Sequence, residues 1–337
     1  MEKPKVLVCL NELEKSSFLP EQVWSELEGI GADIHTAASE TLDQPAFLEL
    51  LNCVQPEVLM TAWSTPRLPA DPASVDRILR HLRLKTHLAG SLKGLPRIYL
   101  ERGLKVTNWG SSISRTVAEC GLMLILCCLR QTTKWQLEMH TDRTFNRNEE
   151  FLSLFERRVA LFGFGRVAQA LIQLLRPFDV QLSAYDPDMP EEIFTEHQVR
   201  RCTTPEELFG SADVLVNVAP ATPKYYHSVS EKLLRMLPTD GVFVNVGRGE
   251  TVDEAVLVRV AQEGSLRVGL DVFEVEPLAT DSPLRGLKNV CLLPHIGGPT
   301  VDRRQDAGKR AVNVIARWAK DKSAEGAVCL SEYERAT

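Results

Sequence analysis

The 337-residue sequence has no C-x-x-C pair, no basic surplus and no apolar run long enough to span a bilayer. Each absence closes off a class of function. The eight cysteines (Cys9, Cys53, Cys120, Cys127, Cys128, Cys202, Cys291 and Cys329) are scattered, most of them in apolar runs. Zinc sites need closely paired thiols and secreted scaffolds need a disulfide framework, so reduced thiols in a cytoplasmic protein are expected. A net charge of −6 argues against nucleic acid, whose phosphates demand surplus lysine and arginine. The most apolar segment, "VAECGLMLILCCL" (117–129), carries Glu119 and is shorter than the ~20 residues of a spanning helix. The opening "MEKPKVLVCL" lacks the apolar core and cleavage site of a signal peptide. A soluble protein with no membrane partner is expected.

Apolar residues make up 44% of the chain and charged residues 25%, as in soluble globular proteins, and the length suits two domains. Short apolar runs alternate with amphipathic stretches. "KVLVCL", "ADIHTA", "EVLMTA" and "KTHLAG" read as strands, with "PEQVWSELEGIG" and "DPASVDRILRHL" as helices between them. A second set runs through "RRVALFGFG", "VQLSAYD", "ADVLVNVAP", "GVFVNVGRG", "RVGLDVFE" and "NVCLLPH". Strand then helix, repeated, implies parallel sheets with crossover helices. The joint falls near "TNWGSS" (107–112), before a long helix over 114–135 that is either buried between domains or part of a dimer interface. The last helix, over 300–321, is expected to start at a Thr300 cap. Arg77, Arg80, Arg83 and Lys85 read as a solvated helix face.

"GFGRVA" places Gly163, Phe164, Gly165, Arg166, Val167 and Ala168 between a strand and a helix. Gly163 permits a tight turn, and Gly165 lets backbone approach a pyrophosphate. Ala168 allows close helix–strand packing, and the helix N-terminus offers free N–H groups to phosphate. The next strand ends in Asp186, where a carboxylate accepts the ribose hydroxyls and repels a 2′-phosphate, so NAD is the expected cofactor.

Carbonyl reduction beside a dinucleotide also needs a proton donor and a cation for an anionic substrate. "FVNVGRGE" supplies Arg248, whose guanidinium can grip a carboxylate through two parallel hydrogen bonds. "GLDVFEVEPL" supplies Asp271, Glu274 and Glu276, and "LLPHIGGPT" supplies His295. All three segments follow strands of one sheet, so they can converge on one crevice. A carboxylate beside His295 would stabilise the imidazolium and fix its tautomer.

With these motifs in this order, the chain resembles the D-isomer-specific 2-hydroxyacid dehydrogenases over essentially its whole length. The resemblance implies two doubly wound parallel-sheet α/β domains with a cleft between them. A flavodoxin-like substrate-binding domain would be built from 1–110 and 300–337, and a Rossmann-type NAD-binding domain from 111–299. It implies Arg248, Glu276 and His295 as the catalytic set. It also implies a cofactor set of Gly163, Phe164, Gly165, Arg166, Val167, Asp186, Ala219, Pro220, Val246, Gly247, Arg248, Asp271, His295, Gly297 and Gly298, with no metal. Gly90 and Ser91, with Arg248, would meet the substrate, although "LAGSLKG" departs from the family's G-x-G-x-D turn. Trp109 stands where smaller residues are common, and Glu156 where a glycine is usual. The long helix, opening with "RTVAE", implies a homodimer.

The expected function is NAD-dependent hydride transfer at C2 of a small 2-hydroxy or 2-oxo acid, D-specific by resemblance. An NAD(H)-sensing protein of the co-repressor type, without turnover, is the alternative; it would not need Arg248, Glu276 and His295 together. A phosphorylated substrate would need a second anion site, for which Arg67, Lys93 or Arg97 are available.

Overall fold

The computed structural model describes residues 3–145 and 151–335. The first and last two residues, and residues 146–150 within the expected NAD-binding stretch, lie outside the described residues. The chain forms two compact units, one of Met1–Ile113 with Thr300–Thr337 and one of Ser114–Pro299.

The first unit holds a parallel sheet of β1 (Lys5–Leu10), β2 (Asp33–Ala38), β3 (Val58–Thr61), β4 (Leu84–His87) and β5 (Lys105–Thr107), in the order β2-β1-β3-β4-β5. This is the flavodoxin-like order. Residues 6–10 of β1 and all of β3 are buried, as expected of strands covered on both faces. Local chemistry starts the helices. Asn11 and Glu14 form a capping box for Glu12–Phe18, and Asp43 and Asp71 cap Gln44–Val54 and Pro72–Ile78. The long helix Arg304–Asp321 returns to pack on the helices Glu12–Phe18 and Glu21–Gly29.

Three expectations need correction here. The helix expected to be the last begins at Arg304 and is followed by a short one, Leu330–Arg335; Thr300 does not cap the former with its side chain, and its carbonyl accepts the Arg304 N–H in a preceding turn. Of the expected basic helix face only Arg77 is helical, because the helix ends at Ile78; Arg80 and Arg83 follow it, and Lys85 lies buried within β4. The strand β5 falls where only the approach to the joint was expected.

The second unit holds β6 (Arg158–Phe162), β7 (Gln181–Tyr185), β8 (Arg200–Arg201), β9 (Val214–Asn217), β10 (Gly241–Asn245), β11 (Leu266–Leu270) and β12 (Val290–Leu292). All pair in parallel, in the order β12-β11-β10-β9-β6-β7-β8. The direction of winding reverses between β6 and β9, the switch point at which doubly wound sheets bind ligands. The expected long helix stops at Arg130, since Gln131 takes a left-handed φ of 51°. It packs on the helix Arg166–Leu175 and on β10 and β11, with Ala118, Leu124, Ile125 and Leu129 fully or nearly fully buried inside its own unit. Glu156 adopts φ 63°, the left-handed backbone that favours glycine. Among the described residues, no helix is long and apolar enough to cross a membrane, and no group of His, Cys, Asp and Glu could hold a metal ion.

Candidate active site

The carboxyl ends of β6, β9 and β10 meet tightly at the switch point. Gly163 follows β6 with φ 96°, and a Cβ there would stand 2.9 Å from Ala219 N. A Cβ on Gly247 would stand 2.9 Å from Ala219 O and 3.0 Å from Val218 Cα. The Val218–Ala219 backbone therefore runs between two glycines that no other residue could replace without a shift. Two asparagines hold these turns. Asn217 and Asn245 are paired in register at the ends of β9 and β10 and are buried. Asn217 Oδ1 accepts from Ala219 N, while Asn245 accepts from Gly247 N and donates to the Arg248 carbonyl at 3.1 Å. The sequence reading missed both, though "VLVN" and "VFVN" each end a buried strand on a polar side chain. Val246 is buried beside them and Pro220 half-buried.

The helix Arg166–Leu175 starts at Gly165, which has no side chain to cap it, and a Cβ there would find nothing within 4 Å. Uncapped N–H groups beside open space suit a pyrophosphate. Arg166 is exposed and Val167 half-buried on this first turn. Phe164 differs from expectation: its ring is buried against Phe194, its N–H donates to Asp186, and its carbonyl accepts from Gln169. The Phe164 N–H is thereby occupied, and its carbonyl has one partner. Asp186 is only 2% exposed; Oδ2 accepts Phe164 N and Oδ1 accepts Asp188 N, both at 3.0 Å.

Of the three expected catalytic side chains, His295 and Glu276 are in contact, and Arg248 lies within the electrostatic reach of Glu276. His295 Nδ1 lies 2.6 Å from Glu276 Oε2, and Glu276 Oε1 accepts Phe273 N at 3.0 Å. Arg248 Nη1 donates to the Gly247 carbonyl at 2.6 Å. Burial pulls the Arg248 guanidinium below its ordinary range, and the nearby charges of Glu276 and then Glu250 oppose this. The dyad borders a cavity of about 620 Å³ lined by Phe273, Pro277, Leu278, Arg285 and Leu292 among others. Glu274 belongs elsewhere: it pairs with His227 Nε2 at 2.8 Å and accepts Glu254 N.

Asp271 takes a part that its motif did not reveal. It is 2% exposed, and its oxygens accept Ile296 N and Gly297 N, each at 2.8 Å. It thus staples the turn that carries His295, which has φ 54°. Burial pushes its carboxyl up, while the two N–H donors work the other way. Gly297 is held small by this staple, since its Cβ would come 2.7 Å from Asp271 Oδ2 and 3.1 Å from Cys120 Sγ. Gly298 has open space around it.

Gly90 and Ser91 lie in the first unit. The Trp109 indole covers Gly90 so closely that a Cβ would overlap it, and Asn108 Nδ2 donates to the Gly90 carbonyl at 2.8 Å. The glycine is needed there for packing. Ser91 Oγ accepts Lys93 N at 3.3 Å.

Residues 122–297, about half of the chain, match the model for the NAD binding domain of D-isomer specific 2-hydroxyacid dehydrogenases. The chain belongs to this family. Within it, the chain is 27% identical over 301 residues to glyoxylate/hydroxypyruvate reductase B of Yersinia pestis, covering 85% of this chain and 90% of that one. It is 28% identical over 229 residues to D-3-phosphoglycerate dehydrogenase of Methanocaldococcus jannaschii. That match covers 68% of this chain and spans only 44% of the relative's length. Among solved structures, the apo D-mandelate dehydrogenase of Rhodotorula graminis superposes with a TM-score of 0.84 at 19% identity, covering 96% of this chain and 97% of that one. The fold is therefore that of a 2-hydroxyacid dehydrogenase with an NAD-binding domain.

Proposed function

We propose that this family member is an NAD-dependent oxidoreductase interconverting a small 2-hydroxy acid and its 2-oxo acid, D-specific by resemblance. When bound, NAD would accept the hydride from C2 of the hydroxy acid, and NADH would supply it to the oxo acid. The uncapped turn at Gly165, Arg166 and Val167 would hold the pyrophosphate, and Asp186 the adenine ribose. Ala219, Pro220, Val246 and Gly247 would line the cofactor, with Asp271, Gly297 and Gly298 at its nicotinamide end.

Arg248 binds the substrate carboxylate through paired N–H donors. With Nδ1 facing Glu276, His295 keeps Nε2 for the substrate oxygen, giving it a proton on reduction and taking one on oxidation. Glu276 fixes the imidazole's tautomer and orientation. The observation that carries this reading is the 2.6 Å His295–Glu276 contact, with Arg248 in the field of the same glutamate. A nucleotide sensor would need none of the three.

The test follows NADH oxidation and NAD reduction across an acid panel, beginning with glyoxylate, hydroxypyruvate, D-3-phosphoglycerate and D-mandelate, the acids in the relatives' names. Turnover that disappears in His295→Ala supports the assignment; cofactor binding with no turnover on any acid returns the protein to the sensor reading. Eight free thiols support a cytoplasmic protein, and the family's long helix supports a homodimer, which sedimentation would check.

A further inference from the structure

The first unit contains polar groups that the hydride-transfer reading does not use. Lys85, on β4, is 7% exposed, and its Nζ donates to Thr61 Oγ1 at 2.7 Å. Thr61 Oγ1 lies 2.9 Å from His87 Nδ1. The three residues share a cavity of about 200 Å³ whose lining includes no carboxylate. Its charged or titratable groups are Lys85, His87 and the exposed Arg67. Burial holds the Lys85 amine down to about 7. Burial, and then the Lys85 charge, hold His87 well below the usual imidazole range, so its ring is neutral.

The directions of these hydrogen bonds follow from what each group can do. In the charged form that faces an anion Lys85 only donates, so Thr61 Oγ1 accepts from Lys85 and turns its own proton to His87 Nδ1. The ring's single proton is then on Nε2. Two Lys85 N–H groups and His87 Nε2–H remain as donors, and Ser91 also lines the cavity. The opposing walls, among them Phe47, Leu59, Leu68 and Leu95, are apolar. Thr61 and His87 are the last residues of β3 and β4, at the carboxyl edge where parallel sheets bind ligands.

We propose that this pocket binds the carboxylate of a short organic acid, with Lys85 as its counter-charge, His87 and Ser91 as further donors and the apolar walls around the hydrocarbon stem. A carboxylate monoanion neutralises the single buried ammonium. The site uses residues of the first unit alone, and Ser91 is the one residue it shares with the expected redox substrate set.

Isothermal titration of the whole protein with butyrate tests it, with butyramide as the neutral isostere. The titrations are run on wild type, Lys85→Met and Arg248→Ala, the last removing the other candidate carboxylate site. Butyrate is expected to bind wild type and Arg248→Ala alike, and Lys85→Met about ten- to a hundred-fold more weakly. Butyramide is expected not to bind. Near pH 8, wild type should take up protons as it binds the anion, read from titrations in two buffers of different ionisation enthalpy. That measurement decides the matter if Lys85→Met does not fold. Absence of butyrate binding, binding untouched by Lys85→Met, binding lost in Arg248→Ala, or binding without proton uptake would overturn the proposal.

Discussion

Glu276 ties His295 to the end of another strand. One carboxylate oxygen accepts the Phe273 N–H just beyond β11, and the other faces His295 Nδ1 at 2.6 Å beyond β12. The imidazole is thus held by a group that is itself anchored to backbone. His295→Ala is expected to lower kcat by about 10²–10⁴ with cofactor affinity retained, as for loss of a general acid–base group. Glu276→Gln should lower kcat less and leave substrate KM nearly unchanged, because it disturbs orientation and not binding. Steady-state kinetics with the best acid of the panel, and NADH fluorescence titration, check both.

The turn carrying His295 depends on Asp271, whose two oxygens take the Ile296 and Gly297 N–H groups. Asp271→Ala leaves those donors unpaired and is expected to cost about 2–4 kcal/mol in urea unfolding. It should also lower kcat, since His295 loses its fixed position. A variant with wild-type stability and turnover would show that the staple is dispensable.

Gly247→Ala forces a Cβ against the Val218–Ala219 backbone, 2.9 Å from Ala219 O. Backbone cannot swing aside as a side chain can. The expected result is a loss of about 1–3 kcal/mol and weaker NADH binding. Gly163→Ala should be worse, since φ 96° adds its own strain.

Asp186 accepts two backbone N–H groups, which keeps a carboxylate at the end of β7. The wild-type kcat/KM ratio is expected to favour NAD over NADP, and Asp186→Ala to erode that preference by at least about ten-fold. A wild-type preference for NADP would remove Asp186 from the selectivity role.

The Lys85 amine sits near 7 in the folded chain against an ordinary value of 10.5. Between those values the unfolded chain binds the extra proton, so stability rises with pH across that window. Below about pH 7 the full cost of burying the charge is present. Lys85→Met is therefore expected to stabilise the protein by about 1–4 kcal/mol at pH 6, with the gain shrinking as pH approaches 10. Urea melts at pH 6, 8 and 10 would show the trend, and a pH-independent difference would contradict it.

Lys85 also shows why local reading runs out. A lysine two residues after an arginine, close behind a basic helix, looks solvated; only the end of the helix at Ile78 and the pairing of β4 with β3 and β5 put it inside. The stop at Gln131 was invisible for a similar reason, since a glutamine in left-handed backbone leaves no glycine as a marker. The Gly163 turn was legible because a positive φ needs a residue without Cβ, which is a property of one position. Glu276 and His295 were legible as a pair only through the family resemblance, and their contact spans nineteen residues of chain.

The sequence by itself determined the two parallel sheets, the phosphate-binding turn and the residue types at the strand ends, because apolar runs and glycine turns act over a few neighbouring residues. The tertiary structure alone decided which partner each polar group takes: Asp271 with Gly297, Asp186 with Phe164, Lys85 with Thr61. Those bonds join segments more than twenty residues apart, and burial, which sets their strength and their protonation, arises only when the sheets are packed.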